Sequence, residues 1–592
     1  VAEGVEISTP LSIAAVTVLL VLAVRSRRAA AAILLALVAG LALTAAFAAA
    51  AVGTLNPISV AFAVLFVGIA VDFGIQFTIR LRDEQTRAPD RAAAVAATAS
   101  AMAGPLSLAA LATAVGFLSF LPTAYAGVAQ LGLIAGVGML IALVVCLTLL
   151  PALLGLLRPP PARDVVGLRL ARPLERWLHR HARAVVVAAL AAAAIGAGLS
   201  PWLHFDFNPL NLQNPRSESV RAFRDLASQP ETSPYAIDAL APSLDAADEM
   251  GRRFDRLPEV DHTITLTDLI PEQQDAKLAV LADLQMLLGP TLAAGTPPPP
   301  PTAAELAGRL ADTAGRLRGA SPAATELADR LGVVAASGPQ AVERFAAAVT
   351  AGLPALLDDL RHMLDARPVT RASLPPELAR RWIAADGRAR IEVVPKGDMQ
   401  DEKALTRFVA AVEAVDPEVS GAPVSIVAAG RTVITAFAEA GLIALTAITG
   451  LLLAVLRRPG DVALVLLPLA LGALYTVVGA VAGGLAINFA NIICLPLLLG
   501  IGVAFSIYFV LNRRRGLRRP LSAATGRAVL YSALTTGSAF GSLGLSPHRG
   551  TASMGLLLFL ALGLAVATVF LVLPAVFAVI ERRGRGSSAP GR

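Results

Sequence analysis

Long apolar runs dominate this chain, and their number excludes a soluble core. Eleven of them cover roughly residues 8–24, 29–52, 57–79, 105–121, 128–156, 184–200, 433–456, 461–484, 488–511, 527–545 and 551–580. About 20 apolar residues in a helix cross a hydrocarbon layer about 30 Å thick. Within that layer each segment must satisfy its own backbone polar groups, which selects helices. Composition agrees: 56% of the 592 residues are hydrophobic and 16% charged, where a soluble globular protein has about 25% charged residues. The chain reads as a polytopic α-helical membrane protein.

The connections between runs fix a direction. RSRR (25–28), RLRDEQTR (80–87), Arg158 to Arg183, RRPG (457–460), RRRGLRR (513–519) and ERRGR (581–585) are basic. The short loops near 53–56, 122–127 and 482–487 carry no Lys or Arg. Positive-inside bias puts the basic set in the cytoplasm and the polar block 201–432 outside, in a bacterial periplasm. The net charge of +7 comes from arginines beside apolar runs, which is a membrane pattern and not a nucleic-acid footprint. Val1 then lies outside, with Glu3 and Glu6 before the first run, the reverse of a secretory leader. A preceding span is expected upstream, with an N-out insertion as the alternative. Cys146 and Cys494 lie inside apolar runs as packing residues, and the six histidines show no metal-ligand spacing. No cofactor and no enzyme chemistry is expected: there is no nucleophile–base pair, metal box or Gly-rich phosphate loop.

The chain repeats itself. LNPISVAFAVLFVGIAVDF (55–73) aligns with INFANIICLPLLLGIGVAF (487–505) at an offset of 432, pairing Asn56 with Asn488, Ser59 with Asn491 and Gly68 with Gly500. Further on the offset is 423: Thr113, Phe117, Ser119, Gly132 and Pro151 match Thr536, Phe540, Ser542, Gly555 and Pro574. Both copies run in the same sense, so the repeat is parallel, a transporter pattern with its centre between the halves. The expected organisation is a first transmembrane repeat of five spans (1–156), a cytoplasmic basic linker (157–183), a span (184–200), a periplasmic domain (201–432), a second transmembrane repeat of five spans (433–580) and a cytoplasmic tail (581–592). The periplasmic block reads as α+β. Strand-like 233–240 and 260–270 flank helical 241–257. Strand-like 388–398 and 423–430 flank the helix 401–415. Two βαβ units suggest a ferredoxin-like module with a helical insertion, about 272–387, whose periodicity is helical in 303–319, 323–335 and 340–366. PPPPP (297–301) breaks that insertion.

One residue departs from the repeat. Asp72 sits in GIAVDFGIQF (68–77), and its twin in GIGVAFSIYF (500–509) is Ala504. A charged Asp in mid-membrane costs about 2.5–3.5 kcal/mol, so such groups are functional by default. Asp72 is the candidate proton relay; a neutral Asp that fixes helix packing is the structural alternative. Gln76 lies one turn away on the same face. Gly68, Gly74, Gly500 and Gly502 remove side chains nearby and permit close helix packing. The stretch 81–104 begins charged and becomes alanine-rich, an interfacial helix or a solvated linker.

These residues carry a resemblance. FVGIAVDFGIQFTIRLRDE (66–84), LPLLLGIGVAFSIYFVLNRRRG (495–516) and PEVDHTITLTDLIPEQQDAKL (258–278) are similar to the RND superfamily. Within it they resemble the MMPL-type lipid exporters, above all the hopanoid-biosynthesis-associated RND transporters. That resemblance implies twelve spans and two outer domains, so the first span and first periplasmic domain would be missing here. It implies export of a hopanoid-like or other apolar lipid from the inner membrane or periplasm toward the outer membrane, driven by protons. It also implies a homodimer, with a trimer as the alternative, and a multi-pass inner-membrane location. Drug or hydrophobe efflux, and a non-transporting sterol-sensing or accessory protein, are the competing functions. The superfamily's relay between its fourth, tenth and eleventh spans implies Ser506, Tyr508, Thr535 and Thr536 as partners of Asp72. Asn488 and Asn491 lie nearer the outer end, where they could hold a water wire. Each of these serves equally well as an interhelical contact. The tenth span has no second ionisable group except Tyr508, so a paired-charge relay does not carry over.

Overall fold

The structure is a computed structural model that describes residues 2–54, 62–160, 168, 171–227, 232–293, 299–517 and 519–587. Asn56 and Ser59 of the repeat lie outside the described residues, as do parts of the basic linker and of the proline run. The chain forms two compact units: residues 1–237 with 394–592, and residues 238–393.

The first half of the membrane unit comprises α1 (Ala2–Val24), α2 (Arg27–Ala51), α3 (Phe62–Glu84), α4 (Arg91–Leu118), α5 (Ala126–Leu147), α6 (Leu149–Leu157), α7 (Ala171–Arg180) and α8 (Ala182–Leu199). After it come β1 (Phe205–Asp206), α9 (Glu218–Ala227), β2 (Ile237–Ala241), α10 (Leu244–Phe254) and β3 (Val260–Ile264). A helical stretch follows: α11 (Gln274–Leu292), α12 (Ala303–Leu317), α13 (Pro322–Ala336), α14 (Pro339–Thr350), α15 (Leu353–Leu364) and α16 (Pro376–Trp382). Then come β4 (Ala389–Pro395), α17 (Glu402–Val415), β5 (Ser420–Gly421), α18 (Ala422–Leu456), α19 (Pro459–Ala482), β6 (Ile487–Asn488), α20 (Cys494–Arg514), α21 (Ala524–Leu543) and α22 (Arg549–Ser587). The short strands β1 and β6 pair in parallel, and the other four form a sheet of order β3-β4-β2-β5.

Each of the eleven apolar runs contains a helix among the described residues, and eight helices there are long and apolar enough to cross a membrane. The remaining three are α1, α3 and α21. The described apolar part of α1 is short, Ser12–Val24. In α3, Asp72, Arg80, Arg82 and Asp83 interrupt the apolar run, and α21 is rich in Ser and Thr. These two helices form the most extensive pair in the bundle, so their polar groups are buried in protein rather than turned to lipid.

Two expectations need correction, and one expected span, present as expected, has a break in its helix. Residues 423–430 are not a strand but the first turns of α18, a single 35-residue helix. Pro423 lies in its first turn, where a missing N–H costs nothing and the fixed φ already suits a helix. Residues 81–104 hold no separate interfacial helix: α3 runs to Glu84, and α4 starts at Arg91, where the Asp90 carboxylate accepts the Ala93 N–H at 2.7 Å. The run 128–156 is broken into α5 and α6 at Thr148. Pro151 supplies no N–H to the Leu147 carbonyl, which ends the helical ladder there.

The repeat reappears as matched bonds. Thr113 Oγ1 on α4 donates to the Gly500 carbonyl on α20 at 3.0 Å, and Thr536 Oγ1 on α21 donates to the Gly68 carbonyl on α3. Thr113 and Thr536 are repeat mates, as are Gly68 and Gly500, so the two bonds are reciprocal. The helix ends match too. Arg82 donates to the Val24 carbonyl at the end of α1, and Arg514 Nη2 donates to the Leu456 carbonyl at the end of α18 at 2.6 Å. Both pairs sit at the 432 offset. Each guanidinium satisfies a carbonyl that its own helix leaves unpaired. Arg527 adds bonds to the Ala23 and Leu22 carbonyls at 3.1 and 2.8 Å.

In the second unit β2 and β4 bury Ala239, Ala241, Ile391 and Val393, and α10 buries Ala247 and Phe254. Arg390 pairs with Asp238 and Glu392, each at 2.8 Å. Helices α12 to α14 share a small core of Ala314, Ala328 and Leu331 with Phe345 against it. Thr302 and Glu305 close a reciprocal cap at the start of α12. The periodic run 340–366 is two helices, parted at 351–352 ahead of Pro354.

The α4–α20 crossing generates a prediction. A Cβ at Gly116 would lie 3.0 Å from the Gly500 Cα, so Gly116→Leu forces the backbones apart. It is expected to destabilise the bundle by about 1–3 kcal/mol, whereas Thr113→Val should cost about 0.6 kcal/mol, an average interhelical bond. Thermal unfolding in detergent measures both; equal midpoints for Gly116→Leu and the unaltered chain contradict the close approach.

Candidate functional site

Asp72 is held where α3 crosses α21. Gly68 lies in this contact: a Cβ there would sit at ordinary van der Waals distance, 3.5 Å, from Ala539 Cβ and Thr536 Cγ2. On α21 the residues Ser532, Thr535, Thr536 and Ala539 follow a spacing of three and four, which puts them on one face. Asp72 lies one turn beyond Gly68 along α3 and is only 3% exposed. Its Oδ1 accepts the Ser532 hydroxyl and, at 3.3 Å, the Gln76 Nε2–H. Among the described residues no cationic side chain forms an ion pair with it. The carboxyl is therefore held by neutral donors in a buried helix contact. An ionised carboxylate can only accept, whereas a protonated one also donates. One proton thus changes which bonds this crossing can make.

The repeat-related crossing, α4 with α20, lacks all of this chemistry. Ala504 stands where Asp72 is, Ala109 where Ser532 is, and Tyr508 where Gln76 is, all three buried. One scaffold is built twice, and only one copy carries a carboxylate.

The expected partners divide clearly. Gln76 bonds Asp72 directly. Thr536 bonds the Gly68 carbonyl, and Thr535 donates to the Ser532 carbonyl at 2.8 Å, so both hold the crossing together without touching the carboxylate. Ser506 and Tyr508 are buried, and neither hydroxyl has a hydrogen-bond partner among the described residues. Asn488 and Asn491 are not brought to the site. Asn491 Oδ1 accepts the Asn488 N–H, Asn488 Oδ1 accepts the Asn491 N–H, and Asn491 Nδ2 donates to Ala486 O, which closes a tight turn before α20. Of the four glycines, Gly68 and Gly500 sit at the two crossings between halves. Gly74 instead admits Ile33 of α2, and Gly502 admits Leu469 of α19.

Ser532 was not singled out from sequence. The signal was present, since it lies four residues before Thr536 on the same face. Its importance depends on which helix α21 meets, and that is a tertiary fact.

A small cleft, with room for about 30 Å³, opens beside the site, lined by Gln76, Arg80, Tyr508, Asn512, Arg515 and Thr525 among others. It joins the inner partner of Asp72 to the arginines at the helix ends. Among the described residues no group of His, Cys, Asp and Glu could hold a metal ion.

A family model for the MMPL family matches residues 1–191 and 305–591. The chain belongs to the MMPL family. A protein of Rhodopseudomonas palustris named hopanoid transporter HpnN is 42% identical over 585 residues, covering 97% of this chain and 67% of that protein. Its namesake from Burkholderia multivorans is 43% identical over 573 residues, 95% of this chain and 65% of that one. The MMPL chain thus spans about two thirds of the length of these curated relatives. Two solved structures share its fold. One is SecDF, a translocon-associated membrane protein of Thermus thermophilus, with a TM-score of 0.55, 13% identity, and coverage of 98% of this chain and 63% of that one. The other is a heavy metal efflux pump, with a TM-score of 0.52, 16% identity, and coverage of 98% and 67%. With these relatives and its apolar helices, the MMPL chain is a multi-pass membrane protein.

If Ser532 and Asp72 act as one unit, their substitutions are not additive. Ser532→Ala and Asp72→Asn, singly and together, are expected to show a coupling of about 0.5–3 kcal/mol in detergent unfolding. Strict additivity would remove the bond from the account.

Proposed function

We propose that this MMPL protein exports apolar lipids of the hopanoid class from the inner membrane or periplasm toward the outer membrane of a bacterial cell, driven by protons that enter through Asp72. The substrate class is supported by the name that both curated relatives carry, at 42% and 43% identity. The proton role rests on one observation: a buried carboxylate with only neutral partners at one of two otherwise matched crossings.

The residues take these roles. Asp72 binds and releases the proton. Ser532 and Gln76 donate to its ionised form; on protonation the carboxyl becomes a donor and competes for the same positions. That change biases the α3–α21 crossing between two arrangements, and each charge moved through 100 mV contributes about 2.3 kcal/mol to the bias. Thr535 and Thr536 keep the crossing in register. The cleft at Gln76 and Tyr508 gives water access from the cytoplasmic, arginine-rich end. In this reading 1–156 and 433–580 are the two membrane repeats, 201–432 lies in the periplasm, and the protein works as a homodimer. The sheet order β3-β4-β2-β5, with α10 and α17 between its strands, supports a ferredoxin-like porter module. Helices α11 to α16 are its insertion.

Two measurements test this. In proteoliposomes with an imposed proton gradient, transfer of a hopanoid to acceptor vesicles should fall to the level of protein-free vesicles in Asp72→Asn, and Ala504→Asp added to that variant should not restore it. Transfer that is unchanged in Asp72→Asn sinks the proton role. For orientation, a cysteine replacing Arg330 should react with an impermeant thiol reagent from the periplasmic side, and one replacing Arg515 only after the membrane is opened. The opposite pattern reverses the topology.

A further inference from the structure

Helix α7 raises a question that the transport reading does not answer. It is strongly two-faced: Ala171, Glu175 and Leu178 are buried, while Arg172, Arg176 and Arg180 are exposed together with Leu174 and Trp177. Trp177 is 52% exposed, which is unusual for so large an apolar ring unless it meets something other than water.

The buried face is pinned by a carboxylate. Glu175, 2% exposed, accepts the Leu521 N–H at 3.2 Å on one oxygen and the Ser522 hydroxyl at 2.8 Å on the other. Its charge is committed to the turn between α20 and α21. Beside it lies an open cleft of about 450 Å³, lined by Arg172, Glu175, Arg176, His179 and Arg519. Among the described residues Arg172, Arg176 and Arg519 form no ion pair. Three guanidinium groups thus converge on one cleft with no acidic side chain paired to them.

The location is the second, independent observation. One residue, His181, separates α7 from α8, a candidate span with only 17% of its apolar window buried in protein. Val187, Leu190 and Ile195 are more than half exposed along α8, as lipid-facing residues are. The cleft therefore sits at the end of a lipid-facing helix, at headgroup depth, with Trp177 in the position of an interfacial ring.

We infer that this cleft is a binding site for the phosphate of an anionic phospholipid headgroup on the arginine-rich side of the membrane. Arg172 and Arg176, four residues apart, face the cleft from one helix, and Arg519 closes it from the turn that Glu175 anchors. Guanidinium forks match the oxygens of a phosphodiester, and a second anionic group on the lipid raises the attraction. Trp177 and Leu174 rest against the acyl–headgroup boundary. The inference does not depend on proton coupling or on the exported lipid.

The test uses the full chain in a mild detergent and a fluorescent phosphatidylglycerol, with fluorescent phosphatidylcholine as the zwitterionic control. Phosphatidylglycerol should bind more tightly than phosphatidylcholine. R172Q, R176Q and R519Q should each weaken it by about fivefold, with phosphatidylcholine unaffected. R176Q removes one exposed side chain, so it reads out the site even where R172Q or R519Q fails to fold. R330Q, in the polar block, should leave both affinities unchanged. Equal affinity for the two lipids, or unchanged phosphatidylglycerol affinity in a folded R176Q chain, overturns the site. Displacement by inorganic phosphate as effective as by unlabelled phosphatidylglycerol overturns the lipid assignment in favour of free phosphate.

Discussion

Two hydroxyl-to-carbonyl bonds tie one half of this bundle to the other. Thr113 reaches the Gly500 carbonyl and Thr536 reaches the Gly68 carbonyl. Neither bond is strong; interhelical bonds of this kind average about 0.6 kcal/mol. Their importance is geometric. A threonine can reach a backbone carbonyl on a neighbouring helix only where the two helices lie close, and here both accepting carbonyls belong to glycines. The site inherits its position from that contact. Asp72 is one turn beyond Gly68 and Ser532 one turn before Thr536, so the carboxyl meets the hydroxyl because the glycine meets the threonine.

In the proposed mechanism, the same scaffold would let a single carboxylate suffice. At the α4–α20 crossing the polar positions are occupied by Ala109 and Ala504, and the contact can only hold. At the α3–α21 crossing they are occupied by Ser532 and Asp72, and the contact can change with protonation. A fixed joint and a variable joint, related by the repeat, would let one half move against the other without coming apart. A second acid at position 504 would make both joints variable at once and double the cost of burying charge.

Much of this could be read from the sequence because membrane segments are written in long stretches. The apolar runs, the 432 and 423 offsets and the break at Asp72 needed no tertiary information. Gln76 was legible for the same reason, as a neighbour on one helix. Ser532 was not, because a serine in a Ser- and Thr-rich helix gains meaning only from the helix it meets. Arg82 and Arg514 read as members of basic loops, yet they reach back to close the ends of α1 and α18. Residues 423–430 misled because PVSIVAAG is β-branched and apolar, as a short strand would be. The local preference was overridden by continuity with the long helix that follows.

That helix has a mechanical consequence. At about 1.5 Å per residue the 35 residues of α18 form a rod about 52 Å long, while the hydrocarbon layer is about 30 Å thick. Some 22 Å of unbroken helix must project beyond the lipid. Its only proline is Pro423, in the first turn, so there is no kink to absorb a tilt. A rotation of about 10° within the membrane would swing the far end by roughly 4 Å. A segment of this geometry would act as a connecting rod, carrying displacement inside the bilayer to its polar end.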